Sequence, residues 1–139
     1  MEPKEISYVR LVKSEDLNHH GTLFAGRCAE WFVEAGFIAV ASVLPAENIV
    51  CMKIHGLEFS RPVQLGQIAQ FYSKIVHVGK SSIKVFVELK PLNQDENAVN
   101  GFITFVFIDK TGRPQPHGLH LEIINENDLE LNRIAKELH

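Results

Sequence analysis

Residues 18–36 read NHHGTLFAGRCAEWFVEAG and decide the fold, because they join a polar, glycine-containing turn to a strongly apolar helix. The charged side chains of this helix are Arg27, Glu30 and Glu34. Their spacings of three and four residues place all of them on one side of the helix. A buried carboxylate must be paired, hydrogen-bonded or used in chemistry, since leaving it unpaired costs roughly several kcal/mol. A half-buried glutamate beside a glycine turn is therefore a first candidate for a catalytic group.

The predicted helix extends from about Phe24 to Leu44, where Pro45 ends it because proline cannot continue the backbone hydrogen bonding. Most of its residues are apolar on every side, which is typical of a buried helix. We expect it to lie inside the fold, wrapped by a sheet, with Gly26 and Gly36 permitting close approaches.

The rest of the chain carries strand patterns and one further helical pattern. Between Ser81 and Leu89, apolar and charged residues alternate as in an antiparallel strand with one buried face. The last segment, about 122–138, has helical spacing of its apolar residues. The sequence therefore predicts a single α+β domain over 1–139, in which a curved antiparallel sheet surrounds a long helix and a second helix ends the chain. The predicted strands are 6–12, 49–59, 66–78, 81–89 and 99–108.

Composition narrows the class of protein. A chain of 139 residues with 45% hydrophobic content can bury the core of one domain. The net charge is -3 and the basic residues are scattered, which argues against a nucleic-acid partner. The N-terminus has no apolar signal core and no apolar stretch reaches the length of a membrane span, so we expect a cytoplasmic protein without a membrane partner.

The cysteines and histidines do not form metal-binding patterns. Cys28 and Cys51 have neither metal-ligand nor disulfide spacing, and we expect both to be small buried residues in a reducing compartment. His19 and His20 are adjacent in a turn, where such residues are usually solvated, although His20 next to Gly21 is the better acid or base candidate. We predict no metal site.

Four segments, in order, resemble the acyl-CoA thioesterases of the hot-dog fold. The first is the Asn18–Gly21 turn followed by LFAG, Trp31 and an acidic residue on the helix. The others are LEFSRPV from residue 57, VGKSS from residue 78, and the segment 105–114, which ends in DKTGRP. Together they cover about residues 10–115, so the final segment lies outside the resemblance.

The resemblance implies hydrolysis of an acyl-CoA thioester by water. Family members use an acidic residue on the central helix as general base or nucleophile, and a backbone amide at the helix start to hold the carbonyl oxygen. In this sequence these roles would fall to Glu34 and to the amide of Gly26, with Asn18 positioning the water or the carbonyl. An oxyanion donor at a helix start contributes about 3 to 4 kcal/mol in the transition state.

The acidic residue departs from the family pattern. Counting from Asn18, similar enzymes have Asp or Glu at the position of Val33, whereas Glu34 lies one residue further and about 100° around the helix. Counting from Gly26 gives a family-like interval to Glu34. Either Glu34 occupies the site after a one-residue offset, or the site has lost its base. We favour the first interpretation, in which Glu34 is the acid of the site.

Substrate binding is assigned to several further residues. The chain lacks a GxxxxGK[ST] phosphate loop, and the Lys80, Ser81 and Ser82 turn is the better candidate for a CoA phosphate. Arg61 is a weaker phosphate candidate, and His20 and Phe59 are expected to contact substrate. Coenzyme A enters as part of the substrate, and we expect no cofactor.

The fold predicts at least a homodimer, because an unpaired strand edge is a liability that a second copy can cover. Similar enzymes place the site between two subunits and often form tetramers or hexamers. Two other functions remain open. One is a 3-hydroxyacyl thioester dehydratase or hydratase that pairs His20 with Glu34. The other is a non-catalytic acyl-CoA binder, which Val33 at the usual acid position keeps open.

Overall fold

The computed structural model describes residues 1–139, which form one five-stranded antiparallel sheet and two helices. The sheet order is β1-β3-β4-β5-β2, so β1 and β2 are the edge strands. Helix α1 covers one face of the sheet and α2 packs on the other, which confirms the predicted α+β architecture. The elements are β1 (Ile6–Leu11), α1 (Ala25–Ala41), β2 (Ile49–Phe59), β3 (Ile68–Val78), β4 (Ser82–Pro91), β5 (Val99–Phe107) and α2 (Glu126–Lys136).

The core lies between α1 and the sheet. Strand β4 alternates as predicted: Ile83, Val85, Val87 and Leu89 are fully buried. From the helix, the buried residues are Cys28, Trp31, Phe32, Ala35, Gly36, Ala39 and Val40. The expectation that α1 is buried all round is wrong. Its opposite side, which includes Glu30, Glu34 and Ile38, is exposed because a single sheet covers only one side of a helix.

The two glycines of α1, Gly26 and Gly36, differ in how closely other atoms approach them. A Cβ on Gly36 would stand 2.8 Å from Ile103 Cδ1, so this glycine allows the helix to approach β5 closely, as predicted. A Cβ on Gly26 would meet only the ring of Phe24, 2.6 Å away, and Gly26 is exposed. The expected close approach at Gly26 is therefore wrong. The helix also ends before Leu44, at Ala41, and in the turn that follows, Val40 O accepts from both Val43 N and Leu44 N, at 3.1 and 3.0 Å.

Helix α2 is attached to the outer face of the sheet by polar side chains. Lys74 Nζ lies 2.9 Å from Asp128 Oδ1, and the Asn132 side chain donates to Val76 O at 2.8 Å. Lys84 donates to the carbonyls of Ala135 and Leu138 near the end of the helix, at 2.8 and 2.6 Å. A cation at the carbonyl end of a helix is favourable, so Lys84 secures the segment that lies outside the family resemblance.

The edge strand β2 overturns one expectation about the cysteines. Cys28 is buried as predicted, but Cys51 is exposed because β2 has no neighbour on its outer side. Several apolar side chains of this strand share that exposure, among them Val50, Met52, Ile54 and Phe59. Neither helix is both long and apolar enough to cross a membrane.

Candidate active site at the start of helix α1

The first turn of α1 offers free backbone donors. The first helical hydrogen bond runs from Cys28 N to Phe24 O at 3.0 Å, so the amides of residues 25–27 have no acceptor within the helix. Gly26 belongs to this group. Free amides and the positive end of the helix dipole both favour negative charge, which makes this turn suitable for holding a developing oxyanion.

Asn18 organises the turn that precedes the helix. Its Oδ1 accepts hydrogen bonds from the amides of His20 and Thr22, at 2.8 and 3.2 Å. Its Nδ2 donates to Thr22 Oγ1 at 3.1 Å and to Leu23 O at 3.5 Å. Because its amide is used on both sides within the turn, Asn18 can contact a ligand only by sharing or exchanging one of these bonds.

A pocket of about 310 Å³ opens beside this turn. Its floor is buried and apolar, and comes from Leu23, Cys28, Val63 and Val99. Its mouth is exposed and more polar, with Ser60 and Arg61 opposite the Asn18 turn. An apolar floor below a polar rim fits a ligand that has one apolar end and one polar or charged end. The remaining lining residues are Asn18, Ala25, Phe59 and Pro62.

The cysteine in the floor of the pocket, Cys28, is not suited to act as a nucleophile. Burial raises the pKa of the Cys28 thiol to about 12, so the thiol stays protonated near neutral pH. Since the thiolate is the reactive form of cysteine, Cys28 forms part of the apolar wall.

The cation at the mouth is already paired. Arg61 contacts Glu96, which lies on the loop between β4 and β5. Glu96 is three-quarters exposed and Arg61 more than one-third, so water screens this pair strongly and it contributes at most about 1 kcal/mol. An anionic ligand could therefore displace Glu96 from Arg61 at small cost.

The predicted acid, Glu34, lies away from this pocket within the chain. It is eight residues beyond Gly26, or about 12 Å along the helix axis. Its carboxylate accepts a hydrogen bond from the Tyr8 hydroxyl of β1, and Arg10 also donates to that hydroxyl at 3.1 Å. The expected half-burial of Glu34 is wrong, because its residue is exposed in the single chain. Burial and the neighbouring Glu34 raise the pKa of Tyr8, so its phenol remains a donor.

Val33 and Glu34 face different edges of the sheet. The guanidinium of Arg10 lies 4.9 Å from the ring centroid of Trp31, which places the Trp31 side of the helix toward β1. Glu34 is three residues from Trp31 and shares that side. Phe37 packs edge-on against Phe105 of β5, and Val33, four residues earlier, lies on the same side as Phe37. The helix thus turns an apolar residue toward β5 and β2, and its carboxylate toward β1.

The other predicted ligand residues divide between two places. Asn18, Phe59 and Arg61 come together at the pocket, next to the first turn that contains Gly26. His20 is exposed and packs on His19, with ring centroids 3.9 Å apart, and it does not line the pocket.

Lys80, Ser81 and Ser82 lie at the opposite end of the sheet. Ser82 pairs with Val106 on β5, whereas the pocket lies near Val99, seven residues away on that strand. Ser81 O accepts from Phe107 N at 2.8 Å, and Lys80 is exposed. Within one chain this turn cannot meet the pocket.

Sequence reasoning missed the floor of the pocket and the partner of Glu34. Leu23 and Cys28 lie at the start of α1, and Val63 and Val99 come from two other parts of the chain; only the apolar helical spacing of Cys28 indicated that it points inward. Tyr8 and Glu34 are 26 residues apart, and no local pattern links them.

Comparisons with known proteins identify the family and the fold. The model of the thioesterase superfamily matches residues 20–98. An uncharacterised acyl-CoA thioester hydrolase of Buchnera aphidicola is 29% identical over 124 residues, which is 81% of this chain and 89% of that protein. The crystal structure of an acyl-CoA hydrolase from Bacillus cereus superposes with a TM-score of 0.85 and 26% identity, covering 95% of this chain and 82% of the other.

A hexameric acyl-CoA thioesterase is also similar, with a TM-score of 0.82, 25% identity and coverage of 95% of this chain and 86% of the other. The family match spans more than half of the chain and includes Gly21, helix α1 and three of the four floor residues, whereas Asn18 and Val99 lie outside it. These agreements confirm the hot-dog fold. The chain is a member of the thioesterase superfamily.

Proposed function

We propose that this chain hydrolyses acyl-CoA thioesters to free coenzyme A and a carboxylic acid. The observation that carries the proposal is the position of the pocket, whose apolar floor and cationic mouth meet at the Asn18 turn and the first turn of α1. Relatives that cover most of this chain are named acyl-CoA thioester hydrolases. In this reaction the water oxygen bonds to the carbonyl carbon, the carbon–sulfur bond breaks, and the water proton passes through the base to the departing thiolate.

The Gly26 amide would hold the carbonyl oxygen as it gains negative charge. Its place in the first turn of α1, where amides have no helical acceptor, supports this role. The absence of a side chain keeps the amide accessible, with only the Phe24 ring nearby. Asn18 would position the water or the carbonyl with its side-chain amide.

Glu34 would be the carboxylate that activates the water. Of the two carboxylates on α1, Glu30 is paired with Arg27 at 3.6 Å, whereas Glu34 contacts only the neutral phenol of Tyr8. Glu34 and Gly26 are about 12 Å apart along one helix. A pocket and an acid that do not meet in one chain would meet only if the acid came from a second copy.

The edge strand β2 provides a surface for that second copy. It is 11 residues long, its outer edge is unpaired, and it exposes Val50, Met52 and Ile54 by 41%, 67% and 41%. A long apolar edge of this kind favours pairing with another strand. We propose a homodimer in which two β2 strands pair antiparallel about a twofold axis, as the hexameric assembly of a similar thioesterase also requires self-association.

This pairing would explain the location of the Lys80 turn. Strand β2 begins at Ile49, opposite Phe107, and ends at Phe59, opposite Val99. An antiparallel pair therefore places the Ile49 end of one copy beside the Phe59 end of the other. The Lys80, Ser81 and Ser82 turn of one copy would then lie at the same end of the joint sheet as the pocket of its partner, where a CoA phosphate could reach it.

The test is the release of free CoA thiol from short, medium, long and aryl acyl-CoAs. The intact protein should turn over at least one of them, and Glu34→Gln should reduce kcat by about 100-fold or more, because a general base contributes that much. Glu30→Gln is the matched control on the same helix and should retain activity. Turnover that Glu34→Gln does not change would assign the base to another residue.

A second function, acyl-CoA binding without hydrolysis, is favoured by one observation. The carboxylate of Glu34, which has no cation beside it, is hydrogen-bonded to Tyr8. On the side of the helix that faces β5, where similar enzymes have their acid, this chain has Val33. Tight acyl-CoA binding without thiol release by the intact protein would select this function. The dehydratase alternative lacks such support, since His20 packs on His19 and lies outside the pocket.

A further inference from the structure

The pocket beside the Asn18 turn has an exposed mouth and a buried floor. Four of its five exposed lining residues are consecutive, from Phe59 to Pro62, and its most buried residues are Cys28, Val63 and Val99, which are 1%, 3% and 1% exposed. The guanidinium at the mouth suits the anionic end of an acyl-CoA. The apolar floor can then receive only the acyl tail, because burying phosphate there would leave charge without a partner.

The pocket is small, and one of its floor residues, Cys28, has a small side chain. The pocket volume of about 310 Å³ lies at the lower end of the range for small-molecule sites, which is about 300 to 1,000 Å³. Cys28 lies in the first turn of α1 and lines the pocket together with Val63 and Val99, and its side chain ends one heavy atom beyond Cβ. Its thiol is neutral, so it can pack against methylene groups without a desolvation cost for charge.

We infer that Cys28 determines the length of acyl group that this site accepts, by forming the end of the acyl pocket against Val63 and Val99. The inference rests on the proposed function, since it assigns the substrate specificity of the same pocket. A larger residue at position 28 shortens the preferred acyl chain, and a smaller one lengthens it.

The experiment compares Cys28→Leu and Cys28→Ala with the intact protein across straight-chain acyl-CoAs from acetyl to dodecanoyl. A methylene that a pocket accepts or refuses changes kcat/KM by about 10- to 200-fold. We expect Cys28→Leu to lower kcat/KM by at least about 10-fold for the longest substrate that the intact protein uses well, while shorter substrates are retained. Cys28→Ala should extend the range to longer chains. Val43→Leu adds a methylene to an exposed side chain outside this pocket, and as the matched control it should keep the original profile.

A second variant and a binding assay test the inference if Cys28→Leu does not fold or if the intact protein shows no turnover. If Cys28→Leu does not fold, Val99→Leu enlarges another buried residue of the pocket floor, on β5, and should shorten the preferred chain in the same way. If the intact protein releases no thiol, the proposed function fails, and calorimetric Kd values for the same acyl-CoA series test the inference separately.

Folded Cys28→Leu and Val99→Leu variants with an unchanged chain-length profile, in turnover or in Kd, would overturn the inference. Absence of any acyl-CoA binding by the intact protein would overturn it as well. A shift toward shorter chains in both variants, with the profile of Val43→Leu unchanged, would establish it.

Discussion

Two sides of helix α1 differ in the chemistry of their side chains, although Val33 on one side and Glu34 on the other are adjacent in sequence. The side facing β5 carries Gly26 with its free amide, the apolar residues Val33 and Phe37, and Glu30, whose carboxylate is paired with Arg27 at 3.6 Å. The side facing β1 carries Trp31 and Glu34, and there the carboxylate, the Tyr8 phenol and the Arg10 guanidinium form a hydrogen-bonded chain.

This difference shows how strongly helical geometry determines the direction in which a side chain points. A shift of one residue turns a side chain by about 100°, so a carboxylate at position 34 and one at position 33 face opposite edges of the sheet. If β2 pairs with a second copy, the Val33 side faces the dimer axis and the Glu34 carboxylate must leave Tyr8 to reach the partner's pocket. The predictions below separate the contributions of the two sides.

Moving the carboxylate across the helix should produce the largest effect. In a Glu34→Gln background, Val33→Glu should restore kcat by about 100-fold, because it returns a general base to the side that faces β5. Thiol release from the best acyl-CoA substrate measures the change. Val33→Gln in the same background has nearly the same size and should restore nothing; equal recovery in both variants would show that the effect is not acid–base chemistry.

Substitutions of the two glycines of α1 should differ in their effect on the free energy of unfolding. Gly36→Ala places a Cβ 2.8 Å from Ile103 Cδ1 in a packed core, and should lower the free energy of unfolding by about 1 to 3 kcal/mol. Gly26→Ala meets only a movable Phe24 ring and removes a glycine from a helix, so it should leave stability unchanged or higher. Chemical denaturation of the two variants tests this contrast, which would fail if Gly26→Ala were the more damaging change.

Releasing the carboxylate from β1 should have the smallest effect. Tyr8→Phe removes the hydroxyl that holds Glu34 and keeps the ring that packs 6.0 Å from Phe71. One hydrogen bond contributes about 0.5 to 1.5 kcal/mol, so kcat should rise by roughly 2- to 10-fold. Tyr72→Phe, whose hydroxyl bonds Gln70 on the outer face, is the control. A fall in kcat for Tyr8→Phe alone would mean that Tyr8 holds Glu34 in its working position.

Local patterns predicted the elements of the fold well. The alternation of Ile83 to Leu89 identified β4 and its buried face, and β2 was predicted with the bounds Ile49 and Phe59 that the structure shows. The exposure of Cys51 was not predictable in the same way, because it depends on β2 being the outermost strand. Strand order comes from long-range pairing, which a local pattern does not contain.

The site was predictable only where a motif lies next to its target. The Asn18 turn and the first turn of α1 are consecutive, and the structure brings Phe59 and Arg61 to the same pocket, while the roles of these residues stay predictions. The orientation of Glu34 was not predictable, because its partner lies on β1 and the direction of α1 across the sheet decides which residues face that strand.

Mixing two inactive variants tests most directly whether the site is completed by two copies. Glu34→Gln and Asn18→Ala, each confirmed as folded, are co-expressed with different tags so that mixed dimers form. In a mixed dimer one of the two sites carries both changes and the other carries neither. Random pairing then restores about one quarter of the activity of the intact protein, far above either parent. Activity of the mixture no higher than the mean of the two parents would contradict a site shared between Asn18 of one copy and Glu34 of the other.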